Sequence, residues 1–130
     1  MAGGPDDPFD LRRFVEAQDG GVYERALAEL TAGRKESHWM WFILPQHRDL
    51  GRSATARYYG LSGVDEARAY LAHPLLGPRL RACFDALRPH LAAGVRAEAI
   101  LGQVDALKLR SCLAIFGQAA PGETLLEGGA

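Results

Sequence analysis

The chain has 130 residues, 48% of them apolar and 24% charged, which is enough for one buried core and excludes disorder throughout. Its 15 basic and 16 acidic side chains leave a net charge of −1, so the sequence-independent attraction that most nucleic-acid binders use is missing and no nucleic-acid partner is expected. The longest strongly apolar run, 39–45, is far short of the ~20 residues of a membrane span, and Asp6 and Asp7 stand where a signal peptide would turn apolar, so a cytoplasmic protein with no membrane partner is expected.

Apolar residues recur at spacings of three and four, and regular alternation is almost absent. The expected fold class is therefore all-α, one compact domain of about six helices over residues 6–122 with a mobile tail at 123–130. Asp6 or Asp7 caps a first helix with Pro8 in its opening position; Leu11, Phe14 and Val15 share a face down to Ala17, and Gly20-Gly21 ends it. A second helix covers 22–31, with Val22, Ala26, Leu27 and Leu30 inward and Gly33 as its stop. Residues 34–51 crowd aromatic side chains without a period around Pro45, which reads as a short helix or turn followed by a loop. Ser53 caps a segment to Tyr59, and Ser62 with Asp65 imitates a capping box for a helix over 64–72. Pro74 and Pro78 open a longer helix to Leu87, buried through Leu76, Leu80, Cys83, Phe84 and Leu87, which Pro89 ends or kinks. Glu98 to Leu101 makes a turn. Asp105 then caps a last helix over 106–116 that buries Leu109, Cys112, Leu113 and Phe116, and periodicity is lost from Gln118. Cys83 and Cys112 lie in apolar patterns without C-x-x-C spacing and read as buried thiols.

The segment Lys35-Glu36-Ser37-His38-Trp39-Met40-Trp41-Phe42-Ile43-Leu44-Pro45-Gln46 does not read as plain scaffold. It holds both tryptophans and one of the two lysines, with a histidine and a glutamine among them. Flat apolar walls with a few orienting polar groups suit a ligand pocket; the competing reading makes Trp39, Trp41 and Phe42 core. Downstream, Leu50-Gly51-Arg52-Ser53 leads into a helix, so backbone N–H groups and Arg52 point to an anion, or else to an ordinary helix start. Lys108 and Ser111 share a helical face, either facing a site or as an exposed stripe behind an Asp105 cap. His47, His73 and His90 have no ligand spacing and no nucleophile motif occurs, so neither metal nor cofactor is expected.

The run Gly33-Arg34-Lys35-x-Ser37-His38-Trp39-Met40-Trp41-Phe42-Ile43-x-Pro45-Gln46, then Leu50-Gly51-Arg52-Ser53, then Glu66-Ala67-x-x-Tyr70-Leu71-x-His73-Pro74-x-Leu76-Gly77-x-Arg79-Leu80, closely resembles the bacterial family known as domain of unknown function 1810. Its members are sometimes called calpastatin-like, a label with no chemical basis in these residues. The resemblance covers about residues 6 to 122 and implies a small, nearly all-helical domain without bringing an established activity. Two stretches depart from the family pattern. Ser111-Cys112-Leu113-Ala114-Ile115-Phe116 stands where a Ser-Ser-Met-Thr-Leu-Phe-like string is usual, and Thr124 to Ala130 replaces the usual final helix, which would leave part of the core uncovered.

Phe14-Val15-Glu16-Ala17-Gln18 is also similar to the Phe-x-x-Ala-Gln string of another small helical family, one that acts on N-glycosidic bonds of ADP-ribosylated or riboflavin-pathway nucleotides. That similarity implies a role for Glu16 in stabilising an oxocarbenium-like transition state, against its reading as a solvated carboxylate. Two functions are therefore expected in competition. One is binding of a small anionic or nucleotide-like ligand by Trp39, Trp41, Gln46, Arg52, Ser53 and Lys108, extending to N-glycosidase chemistry on ADP-ribose-type compounds by Glu16, Lys35 and His38. The other is a non-catalytic protein-interaction module whose aromatic segment is core. The first requires Trp39 or Trp41 to be partly exposed in a concavity, and Lys108 or Ser111 to reach the 35–46 segment.

Overall fold

Asp7 starts the structure by accepting the backbone N–H groups of Leu11 and Arg12 at 2.7 and 3.0 Å, which closes a turn ahead of α1 (Arg12–Ala17). Pro8 lies in that turn and not at the first helical position. The computed structural model describes residues 6–126. The chain continues as α2 (Val22–Ala32), α3 (Met40–Ile43), a 3-10 turn (Arg48–Leu50), α4 (Ala54–Tyr58), α5 (Val64–Ala72), α6 (Leu76–Ala92), α7 (Ala97–Leu101) and α8 (Gln103–Ala119). The fold is all-α, with eight α-helices among the described residues where about six were expected; the surplus consists of short pieces such as α3 and α7, whose four or five residues carry no readable period.

Local chemistry explains most boundaries. Gly33 stops α2 at φ +77°, a left-handed conformation that costs a side-chain-bearing residue energy. Ser53 Oγ accepts the Ala56 N–H at 3.0 Å and caps α4. The box that opens α5 is made by Glu66 and not Asp65: Glu66 accepts from the Ser62 N–H and Oγ at 2.8 and 2.9 Å, while Asp65 pairs with Arg68. Pro89 does not end α6, which runs on through it to Ala92 without the backbone bond that proline cannot donate. Asp105 does not cap α8 either; that helix starts at Gln103, and the aspartate is free for side-chain pairing.

The helices meet in one core, through α5 on α8, α2 on α6, α7 on α8 and α5 on α6. Tyr70 is completely buried at its centre, edge-on to Phe14 at 5.1 Å and tilted against Phe116 at 5.4 Å, with its hydroxyl bonded to the Gln18 amide. His73 Nδ1 accepts the N–H groups of Leu75 and Leu76, and a Cβ on Gly77 would lie 2.1 Å from the Leu71 carbonyl oxygen. The His73-Pro74-x-Leu76-Gly77 string is thus the joint that folds α6 back on α5. Burial pushes both thiols up, Cys83 to about 12.

Where a mobile tail is expected from residue 123, Glu123 and Leu125 make contacts with α6 and the core. α8 runs on to Ala119, Arg81 grips the Glu123 carboxylate at 2.6 and 3.0 Å, Arg88 donates to the Leu125 carbonyl, and Leu125 enters the core. Residues 127–130 of that expectation lie outside the described residues. No helix among the described residues is long and apolar enough to cross a membrane.

Candidate functional site

Two aromatic half-sites face each other across Asp105. The first is built on Glu29, a carboxylate only 8% exposed near the end of α2. It accepts four hydrogen bonds: from the N–H groups of Glu36 and Ser37, from Ser37 Oγ at 2.6 Å, and from the indole Nε1 of Trp39 at 2.8 Å. Burial alone would raise its pKa, but these donors favour the ionised form and hold it down at about 2. Glu29 therefore fixes the 36–39 loop and seats Trp39, 1% exposed, in the core. Lys35 completes this half: its N–H bonds the Ile100 carbonyl, its Nζ sits 5.1 Å from the Trp39 ring centre, and it pairs with Asp105 at 3.0 Å.

The second half is open. Trp41 on α3, Gln46, the Leu50-Gly51-Arg52-Ser53 corner with Ala56 of α4, and Val104, Leu107, Lys108 and Ser111 of α8 line a cleft of about 590 Å³. A short backbone bridge positions Gln46: its carbonyl accepts from the Leu61 N–H at 2.8 Å, and the Arg48 N–H returns to the Leu61 carbonyl at 2.9 Å. Lys108 Nζ lies 5.6 Å from the Trp41 ring centre and 3.6 Å from Asp105. Asp105 is thus shared by two lysines, and the trio carries one net positive charge beside the cleft. Arg52 adds a second cation, and no carboxylate is among the described residues that line the cleft. Such a space admits a flat ring against Trp41 with an anionic group toward Lys108 and Arg52.

Of the residues expected at a ligand site, the structure brings Trp41, Gln46, Arg52, Ser53, Lys108 and Ser111 together. It sets the others apart. Trp39 is core, Lys35 is taken up by Asp105, and His38 is exposed and not among the cleft's lining residues. Glu16 lies at the surface, 63% exposed, in an i,i+4 pair with Arg12. In the Phe14-to-Gln18 string, Phe14 is core and Gln18 bridges the Phe42 carbonyl, the Tyr70 hydroxyl and Arg79, so the matching residues hold the fold. Ser53 spends its hydroxyl on capping a five-residue helix, which leaves Arg52 as the anion-directed group of that corner.

Two buried charged residues, Glu29 and Arg13, escape a reading by motif, and a third, Glu66, stands in the family string without a role read for it. Glu29 anchors the loop; Arg13 uses all five of its N–H groups on the carbonyls of Phe9, Asp10, Tyr58 and Gly60 and on Glu66, at 2.7 to 3.0 Å. The signal was available in phase: Glu29 stands three residues after Ala26, and Glu66 four before Tyr70, each a charge on an otherwise apolar face.

Residues 8–128 match the family described as Protein of unknown function (DUF1810). The fold is similar to the crystal structure of the conserved hypothetical protein Rv1873 from Mycobacterium tuberculosis, with a TM-score of 0.87 and 45% sequence identity, covering 95% of this chain and 91% of that one. No curated protein matches the sequence. Because the family match spans the Glu29-anchored loop, Asp105 and both walls of the cleft alike, the chain belongs to the DUF1810 family of proteins of unknown function.

Proposed function

We propose that the domain binds a small anionic ligand bearing a flat ring, of nucleotide-like chemistry, in the Trp41 cleft. The observation that carries this reading is convergence: residues from three separated segments, Trp41 and Gln46, Arg52, and Lys108 with Ser111, line one concavity whose described lining is cationic and free of carboxylates. Cleavage of an N-glycosidic bond is not part of the proposal. Glu16 is paired in solvent away from the cleft, and Asp105, the acid paired with Lys108, is held between two lysines. The interaction-module alternative is supported in half of its premise, since Trp39 is core while Trp41 borders open space.

Isothermal titration of the full chain with adenosine monophosphate and with inorganic phosphate tests the reading. Arg52→Ala and Lys108→Ala are each expected to weaken binding about tenfold, the effect of about 1.4 kcal/mol, while Arg52→Ala keeps the melting curve because an exposed arginine contributes within about 0.5 kcal/mol. No binding to either probe, or a loss of stability as large as the loss of affinity, would sink it.

A further inference from the structure

The open face does not end at the Trp41 cleft. Leu50 and Ser111 also wall a second cleft of about 430 Å³, which continues past Val64 and Ala114 to Gln118. On α8 the positions lining the two clefts are 104, 107, 108, 111, 114, 115 and 118, the three-and-four spacing of a single helix face. That face extends about 21 Å at about 1.5 Å per residue. Two large apolar residues stand exposed on it, Leu107 at 59% and Val104 at 66%, and Leu50 at 55% faces them from the 3-10 turn. Arg52 and Lys108 charge one end, and no carboxylate is among the described residues lining either cleft.

Length and charge together select the occupant. About 21 Å matches roughly six residues of extended chain or fourteen of helix. A nucleotide seated at Trp41, Lys108 and Arg52 would leave the second cleft, at Val64 and Ala114, unfilled. We propose that this face of α8 and the facing wall at 46–64 form a docking groove for an acidic polypeptide segment. Its bulky apolar side chains lie over Leu50, Leu107 and the Val64 side of the second cleft, and its carboxylate meets Lys108 and Arg52. The inference rests on the reading of the Trp41 cleft as an anion site and goes beyond it, giving Lys108 and Arg52 a second, larger occupant.

Selection of random twelve-residue peptides on phage against the full chain tests it, with adenosine monophosphate titration as a second arm. Enriched peptides are expected to combine bulky apolar with acidic residues. Leu107→Asp, which places a negative charge beside Lys108, and Ala114→Phe, which fills the second cleft, should each weaken the selected peptide at least tenfold. Both positions are exposed, so the variants should fold, which circular dichroism checks; nucleotide affinity should be unchanged in Ala114→Phe. Enrichment of basic peptides, or peptide binding indifferent to both variants, would overturn the proposal. Nucleotide binding without peptide enrichment would overturn it while the ligand reading survives; failure of both arms would remove both.

Discussion

Trp39 and Trp41 stand two residues apart and differ in nearly everything else. Each has a lysine over its ring, Lys35 at 5.1 Å and Lys108 at 5.6 Å, and the two lysines share Asp105. Yet Trp39 is sealed in the core with its indole N–H on Glu29, and Trp41 borders an open cleft. Trp39 is the N-cap of α3 and Trp41 its second residue, and two steps of about 100° place side chains on roughly opposite sides, so the entry into α3 sends one ring inward and the other outward. The buried half is the footing that sets the position of the exposed half.

The largest test of that contrast is truncation. Trp39→Ala should cost about 3–5 kcal/mol in urea denaturation, whereas Trp41→Ala should cost no more than about 1.5 kcal/mol because much less apolar area returns to water. Equal losses would abolish the distinction between footing and cleft. Next in size is Glu29→Gln, which removes the ionised acceptor from four donors and should cost on the order of 2 kcal/mol once solvent screening is allowed for. The folded carboxyl titrates at about 2 against an ordinary value of 4.5, so its contribution is complete above pH 4.5 and is lost as pH falls toward 2. The stability gap between wild type and Glu29→Gln should accordingly stay constant from pH 7 to pH 5 and close below that; a gap that widens in acid would contradict the four-donor account. The smallest effect is expected from Asp105→Asn. It leaves Lys35, 10% exposed, without its counter-ion, at a cost of about 1–2 kcal/mol since the site is not fully dry. The same change adds a positive charge beside the cleft, so phosphate or nucleotide affinity should rise severalfold at low salt. A variant that loses both stability and affinity would show that the two halves are not electrically linked through Asp105.

The all-α class, Gly33 as a stop, the Ser53 cap, α5 over Val64–Ala72 and the buried cysteines were legible in the sequence, because periodicity, φ > 0 and capping are properties of neighbouring residues. So were the residue types of the cleft: a tryptophan, a glutamine, an arginine and a lysine stood out by their neighbours before any packing was known. What local pattern leaves open is which member of each similar pair goes where. Trp39 against Trp41 is settled by Glu29, ten residues upstream of Trp39, and Lys35 against Lys108 by an aspartate that local pattern alone assigns to a cap. Glu16 against Glu66 is settled by Arg13, whose five donors are placed only when three chain segments meet. Partner choice among buried charges depends on distances between residues remote in sequence and on removal of the water that would otherwise satisfy them, and both come into being only when the helices pack.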